Sequence, residues 1–162
     1  MAGRGLGVDA LLGRQTRPHG DLDLVIARDD LAAAQLTLAG AGFSHDAAAR
    51  PGMPARLLLV HADGRQVDLH AVAFDQDGNG WQELGADAWG VYPAEGLTGS
   101  GEIAGRSVRC LTPDLQVRHH LGYPIGATDR HDLALLAGAF GVAVPPGVAE
   151  EPGSDSPSDF CW

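Results

Sequence analysis

The 162-residue sequence predicts a single α/β domain with a small mixed sheet flanked by helices. Polar and apolar residues alternate over 21–26, and two further strand-like segments occupy 56–61 and 66–72. Apolar residues with helical spacing lie at 31–38 and 129–140. A chain of this length fits one domain, since single domains commonly run to about 100–200 residues.

The boundaries of the first half follow from turn and cap residues. The pair Asp29-Asp30 suits the N-cap of the helix that follows the first strand, and Gly40 and Gly42 suit its end. Asp63-Gly64 between two apolar segments is a strong hairpin signal. The second and third strands should therefore pair with each other.

The second half contains shorter segments and ends in a polar tail. Short strand-like segments include Ile103 and 108–111. Pro113 lies in the first turn of a helix that is expected to continue to Leu121. From Pro145 the composition turns to proline, glycine, serine and acid, which is typical of disorder. The predicted organisation is a domain over 1–144 and a disordered tail over 145–162.

Composition and charge limit the classes of function. The formal charge of −10 argues against a general nucleic-acid binder, which usually presents a basic face. There is no segment long enough to span a membrane, no signal-peptide pattern, and no disulfide or zinc spacing between Cys110 and Cys161. The sequence predicts a cytoplasmic protein with neither nucleic-acid nor membrane partners and leaves its oligomeric state open.

Three aspartates are the candidate metal ligands. Strand alternation directs Asp21 and Asp23 to one face, and Asp68 has the same pattern on another predicted strand. Carboxylates that converge repel each other unless a cation lies between them, and magnesium prefers oxygen ligands that it shares with phosphates. If the strands are neighbours, the three carboxylates form a site for metal-assisted phosphoryl or nucleotidyl transfer. The alternative is a solvated polar strand face.

Several other side chains lie near this predicted site. His70 falls on the same strand face as Asp68, either as a packed neighbour or as an acid or base. Trp81, Trp89 and Tyr92 are expected either to form the wall of a pocket for an acceptor molecule or to lie in the core.

The segments 5–13, 14–19, 21–24 and 67–70 together resemble the core motif of antibiotic nucleotidyltransferases. The similarity is to the lincosamide nucleotidyltransferases and the aminoglycoside 2''-adenylyltransferase-like proteins, within the polymerase-β-like superfamily. It extends over about 5–144. Further matching segments are 92–97, 109–111, 119–123 and 130–136.

The resemblance implies a polymerase-β-like nucleotidyltransferase fold and a magnesium-dependent reaction. A nucleoside monophosphate, AMP if the donor is ATP, would pass to a hydroxyl of a small molecule such as a lincosamide or an aminoglycoside. Asp21 and Asp23 would bind magnesium, and Asp68 would either complete the metal site or accept the proton of the hydroxyl. Gly5, Gly7 and Arg17 would lie near the triphosphate.

Two departures from the family pattern leave alternatives open. Arg4-Gly5-Leu6-Gly7 stands where the family has Gly-Gly-Trp-Gly, and the chain begins almost at this motif. The preceding strand is expected to be missing, which would leave a sheet edge unpaired. The alternatives to an active enzyme on small molecules are an inactive, N-terminally truncated remnant and a toxin–antitoxin-type nucleotidyltransferase that acts on a protein.

Overall fold

The computed structural model describes Met1, Gly3, 5–47, 53–121, 123–146 and Val148. Arg4 and most of the predicted tail, 149–162, lie outside the described residues. Within the described part, the helices are α1 (Leu6–Leu12), α2 (Leu31–Gly40), α3 (Pro113–His119) and α4 (Ala127–Phe140). The strands are β1 (Asp21–Ala27), β2 (Phe43–His45), β3 (Arg56–His61), β4 (Gln66–Phe74), β5 (Gly80–Gly85), β6 (Ala88–Tyr92), β7 (Ser100–Ile103) and β8 (Arg106–Arg109).

Strand β4 is the centre of a mixed sheet, which confirms the predicted fold class. The strands β2 to β6 form an antiparallel series in chain order, and β1 pairs with β4 in parallel. The separate hairpin of β7 and β8 packs on α1. Because β4 pairs with β1, β3 and β5, its side chains meet residues from distant parts of the sequence.

The sheet is covered on both faces, as the mixture of apolar and polar strand positions requires. On one face, Leu59, Val67 and Leu69 form a buried cluster, against which Leu31 and Leu38 of α2 pack. On the other face, Val25 and Val72 join a cluster with residues of β6 and α3. Asp23, Asp68 and His70 share the second face by strand alternation.

The structure adds elements that the sequence did not predict. The segment that contains Val8 to Leu12 forms α1, and two further strands, β5 and β6, form a hairpin after the loop 75–79. The predicted helix to Leu121 ends at His119, while α4 begins two residues before the predicted Asp129. Pro113 occupies the first turn of α3, as expected.

The edge of β1 that was expected to be unpaired is occupied by the first residues of the chain. Met1 N and Val25 N each donate to the other residue's carbonyl, at 3.2 and 3.0 Å, and Gly3 N donates to Asp23 O at 2.8 Å. Gln116 of α3 holds this segment through a 2.9 Å hydrogen bond from Nε2 to Gly3 O. A Cβ on Gly3 would come within 2.7 Å of Asp23 Cβ, so this position requires glycine.

A pair of glycine substitutions tests the packing of the β7–β8 hairpin. A Cβ on Gly101 would lie 2.1 Å from Ala10 O, so Gly101→Ala is expected to destabilise the fold by at least about 3 kcal/mol. Gly138→Ala in α4 meets no atom within 4 Å and should stabilise the fold by about 0.5–1 kcal/mol. Urea unfolding measures both, and equal stability of the two variants would contradict the packing of β7 on α1.

Among the described residues, none of the helices has the length and apolar character needed to cross a bilayer.

Candidate active site

The parallel pairing of β1 with β4 brings two carboxylates side by side. Asp23 and Asp68 are register partners, and one ligand atom each of Asp23, Asp68 and His70 lies within 4.8 Å of the others. His70 Nε2 is 3.1 Å from Asp23 Oδ1 and 3.9 Å from Asp68 Oδ1. We call these three residues the acidic cluster.

Arg56 of β3 contacts the acidic cluster from the opposite strand. It is the cross-strand partner of His70, and its guanidinium donates hydrogen bonds to both carboxylate oxygens of Asp68. Nε donates to Oδ1 at 3.1 Å and to Oδ2 at 3.0 Å, and Nη2 donates to Oδ2 at 2.8 Å. The side chain of Asp68 is fully buried, so this planar, charged contact compensates for much of the loss of water around the carboxylate.

A hydrogen-bonded wall of polar side chains supports His70 from the β5–β6 hairpin. His70 Nδ1 lies 3.4 Å from Gln82 Oε1, which also accepts a 3.0 Å hydrogen bond from the Tyr92 hydroxyl. Gln82 Nε2 donates to Ala55 O at 3.1 Å. The Tyr92 ring lies 4.6 Å from that of His119 on α3, centroid to centroid. These contacts fix the imidazole plane beside Asp23.

The donor set of the acidic cluster fits a divalent cation. Two carboxylates and one imidazole offer oxygen and nitrogen ligands within one small volume. Asp23 and His70 keep 11% and 13% of their side-chain surface exposed, so the cluster is open on that side. A cation there would therefore retain free positions for oxygens of another molecule.

Asp21 lies at the open end of β1 and is exposed. It shares the strand face of Asp23 but is not part of the group whose ligand atoms lie within 4.8 Å. The structure thus brings Asp23 and Asp68 together and leaves the third predicted ligand at the solvent edge of the site.

A second group of charged residues surrounds Gly5 at the start of α1. Gly5 has φ +58°, and a Cβ there would lie 3.0 Å from both Arg17 Nη2 and His19 Nδ1. His19 Nε2 is 2.5 Å from Asp9 Oδ2, and Thr16 donates to Asp9 Oδ1 from both its amide and its hydroxyl. Asp9 is buried, so it anchors the loop 14–20 to α1. Gly7, in contrast, is buried within α1.

Arg17 is held from behind by Asp132 of α4. Nε donates to Asp132 Oδ1 at 3.0 Å and Nη2 donates to Oδ2 at 2.8 Å. The hydrogen bond to Asp132 raises the pKa of Arg17. Burial raises the pKa of Asp132, but hydrogen bonds from His120 and Arg17 outweigh it and hold that pKa below its usual value. The pair joins the loop before β1 to α4.

Comparisons with known proteins identify the family of the chain. The family model of aminoglycoside-2''-adenylyltransferase matches residues 2–136. The chain belongs to this family.

Relatives with known structures or activities cover most of the chain. It is 26% identical over 132 residues to a lincosamide resistance protein of Staphylococcus haemolyticus, covering 82% of this chain and 80% of that protein. The lincomycin-bound crystal structure of the lincosamide antibiotic adenylyltransferase LnuA superposes with a TM-score of 0.71 at 25% identity, over 83% of each chain. ANT(2'')-Ia in complex with adenylyl-2''-tobramycin gives a TM-score of 0.64 at 21% identity, over 85% of this chain and 76% of that one.

Membership of the aminoglycoside-2''-adenylyltransferase family makes this chain a nucleotidyltransferase, as the sequence predicted. The resemblance noted for its sequence motifs and the nucleotidyltransferase fold are both confirmed. The assignment of individual ligands and of phosphate contacts at Gly5, Gly7 and Arg17 stays a prediction.

Three charged residues around the candidate site were not identified from the sequence. Arg56 stands at the start of an apolar strand, Asp9 lies in an apolar segment, and Asp132 lies within the predicted helix 129–140. Their partners are distant in sequence, so no local pattern indicates them. A buried charge within an apolar segment was the available signal, because such charges are almost always paired.

The exposed tryptophans of the β5–β6 hairpin face away from the acidic cluster. Gln82 and Tyr92 are buried on the face of His70, whereas Trp81, paired with Val91, and Trp89, paired with Glu83, occupy the other face. Trp81 and Trp89 are 38% and 51% exposed. Of the three aromatic residues, only Tyr92 borders the cluster.

Proposed function

We propose that this nucleotidyltransferase transfers AMP from ATP to a hydroxyl of an antibiotic, in a reaction that requires magnesium. The proposal rests mainly on one observation: the register of β1 and β4 gathers Asp23, Asp68 and His70 around a volume suited to a divalent cation. Family membership supplies the reaction class. The pyrophosphate of ATP would be the leaving group.

Asp23 and Asp68 would hold the magnesium, with His70 as their neighbour. Asp21, on the same face at the open end of β1, would join them when the nucleotide is bound. The metal would neutralise charge that develops on the transferred phosphoryl group. The full burial of the Asp68 side chain favours its role as a ligand, since an acceptor hydroxyl has no direct access to it.

The region around Gly5 would receive the triphosphate. The absence of a side chain at Gly5 leaves space beside Arg17 Nη2 and His19 Nδ1. A guanidinium already fixed by Asp132 loses little conformational entropy when it binds a phosphate oxygen. Gly7 would contribute close packing within α1 rather than a direct contact.

We favour a lincosamide as the acceptor and an aminoglycoside as the second candidate. The two relatives described above at 26% and 25% identity are, by their names, a lincosamide resistance protein and a lincosamide antibiotic adenylyltransferase. The aminoglycoside-bound neighbour is 21% identical. In either class a hydroxyl oxygen would attack the α-phosphorus of ATP in line with the departing pyrophosphate.

The direct test is a product assay with one acceptor of each class. Purified protein is incubated with ATP, magnesium and either lincomycin or tobramycin, and pyrophosphate release and the mass of the antibiotic are followed. The expected result is acceptor-dependent pyrophosphate release and an antibiotic heavier by one AMP moiety, both abolished by a chelator. If neither lincomycin nor tobramycin gained an AMP moiety, the proposed acceptor classes would be contradicted.

A further inference from the structure

The guanidinium of Arg56 lies within the set of groups that would hold the metal. It donates three hydrogen bonds to the Asp68 carboxylate, the longest of them 3.1 Å, and its side chain is 20% exposed. A cation bound between Asp23 and Asp68 would share the Asp68 carboxylate with a permanent positive charge. Such a close guanidinium repels a bound cation, because the two positive charges share one carboxylate.

We infer that Arg56 makes metal binding at Asp23 and Asp68 depend on the bound nucleotide. The inference rests on the proposed function, in which these carboxylates hold magnesium. Arg56 cancels one of the two negative charges of the carboxylates and so lowers the affinity of the cluster for a bare divalent ion. The negative charges of a triphosphate restore the attraction when nucleotide and metal arrive together.

The burial of Asp68 makes this effect strong. The carboxylate is fully removed from solvent, so water screens its interaction with Arg56 only weakly. The fork also fixes the guanidinium on Asp68, because both carboxylate oxygens are engaged and the planes must match. The positive charge therefore stays at the site instead of swinging into solvent.

The positive charge of Arg56 also stabilises the sheet when no metal is bound. Asp23 and Asp68 are register partners on adjacent strands, and like charges placed directly opposite each other destabilise a sheet. Arg56 offsets this repulsion in the metal-free protein. The protein can thus be folded without the ion and still bind it as a complex with nucleotide.

The experiment measures manganese binding as a stand-in for magnesium, with no acceptor and no turnover. Free manganese is followed by electron paramagnetic resonance during titration of the full chain, with and without a non-hydrolysable ATP analogue. The variants are Arg56→Gln, which removes the charge, and Arg56→Lys, which keeps the charge and loses the fork. Arg65→Gln, which removes an arginine from the exposed pair with Asp63, controls for net charge.

The expected result is a difference in linkage between nucleotide and metal. In the wild type the analogue should tighten manganese binding by about tenfold or more. Without the analogue, Arg56→Gln should bind manganese about tenfold more tightly than the wild type. The analogue should then increase the manganese affinity of Arg56→Gln by a smaller factor than that of the wild type. Arg56→Lys, which keeps the charge but not the fork that fixes it on Asp68, should bind manganese more tightly than the wild type and less tightly than Arg56→Gln. Arg65→Gln should match the wild type. Manganese affinity that is unchanged or weaker in Arg56→Gln would overturn the inference.

The failure of this inference can be told apart from the failure of the proposed function. If wild type and Arg56→Gln bind manganese equally, with a gain from the analogue in both, the metal site stands and the role of Arg56 is wrong. If manganese does not bind to the wild type even with the analogue, the metal requirement itself fails. If Arg56→Gln is unfolded without manganese, by circular dichroism, Arg56→Lys decides the question: manganese affinity without the analogue that is no higher in Arg56→Lys than in the wild type overturns the inference.

Discussion

Asp23→Asn is expected to reduce kcat/KM for nucleotidyl transfer by at least about 100-fold, the size of effect that follows the loss of one preorganised group that stabilises charge. The amide has the shape of the carboxylate but lacks its charge, so it would bind the metal weakly. Asn can keep the contact that Asp23 makes with His70 Nε2 at 3.1 Å. The loss should therefore appear in turnover and metal binding more than in stability.

The matched control is Asp29→Asn, in the turn that directly follows β1. Asp29 is exposed and lies outside the acidic cluster. Initial rates of pyrophosphate release, measured over a range of magnesium and ATP concentrations, should be close to wild type for this variant. Comparable losses in Asp23→Asn and Asp29→Asn would show that the cluster is not the catalytic centre.

Asp132→Ala is expected to lower the free energy of unfolding by about 3–5 kcal/mol, the usual cost of leaving one member of a buried ion pair without its partner. Arg17 would lose both hydrogen bonds of its fork, and His120 would lose a carboxylate 3.6 Å away. Asp129→Ala, on the same helix, removes a partly exposed carboxylate that accepts hydrogen bonds from Gly126 N and the Tyr123 hydroxyl, and should cost only about 1–2 kcal/mol. Urea unfolding measures the free energy of unfolding of both variants. An equal decrease in the two would contradict the expected contribution of the Arg17–Asp132 pair to stability.

The same pair gives stability a specific pH dependence. The pKa of Asp132 is lower in the folded protein than in the unfolded chain, where it is about 3.9. Its contribution is therefore complete above that unfolded value and is lost as the pH falls through the lower folded value. Unfolding measured between pH 7 and pH 3 should show a steeper loss in the wild type than in Asp132→Asn.

The parts of the site that the sequence predicted are those encoded by local periodicity. Alternation in 21–26 and 66–72 was enough to assign Asp23 and Asp68 to polar strand faces. The Asp63-Gly64 turn correctly predicted the pairing of β3 with β4. The sequence did not predict the parallel pairing of β1 with β4. The predicted site assumed that these strands are neighbours, because periodicity within a strand does not identify the strand beside it.

What the sequence did not predict depends on contacts between distant elements. The Asp9–His19 contact lies within one short region, but α1 has only seven residues and is flanked by glycines, so its helical period is hard to detect. Arg17 and Asp132 are 115 residues apart, and no single segment carries a signal for their pairing. Asp21 shows the opposite limitation, since alternation places it on the correct face but does not report the distance to Asp68.

The central position of β4 also determines how this protein should fold. Its partner residues on β1 are 45 positions away, as with Asp21 and Gln66, and a parallel pair can form only after the chain between them has crossed over. Such non-local pairing raises contact order and slows folding. Because Asp23 and Asp68 meet only through this pairing, an intermediate that lacks it would contain the β3–β4 hairpin but no binding site. Recovery of nucleotide binding during refolding should therefore coincide with the last, slowest phase.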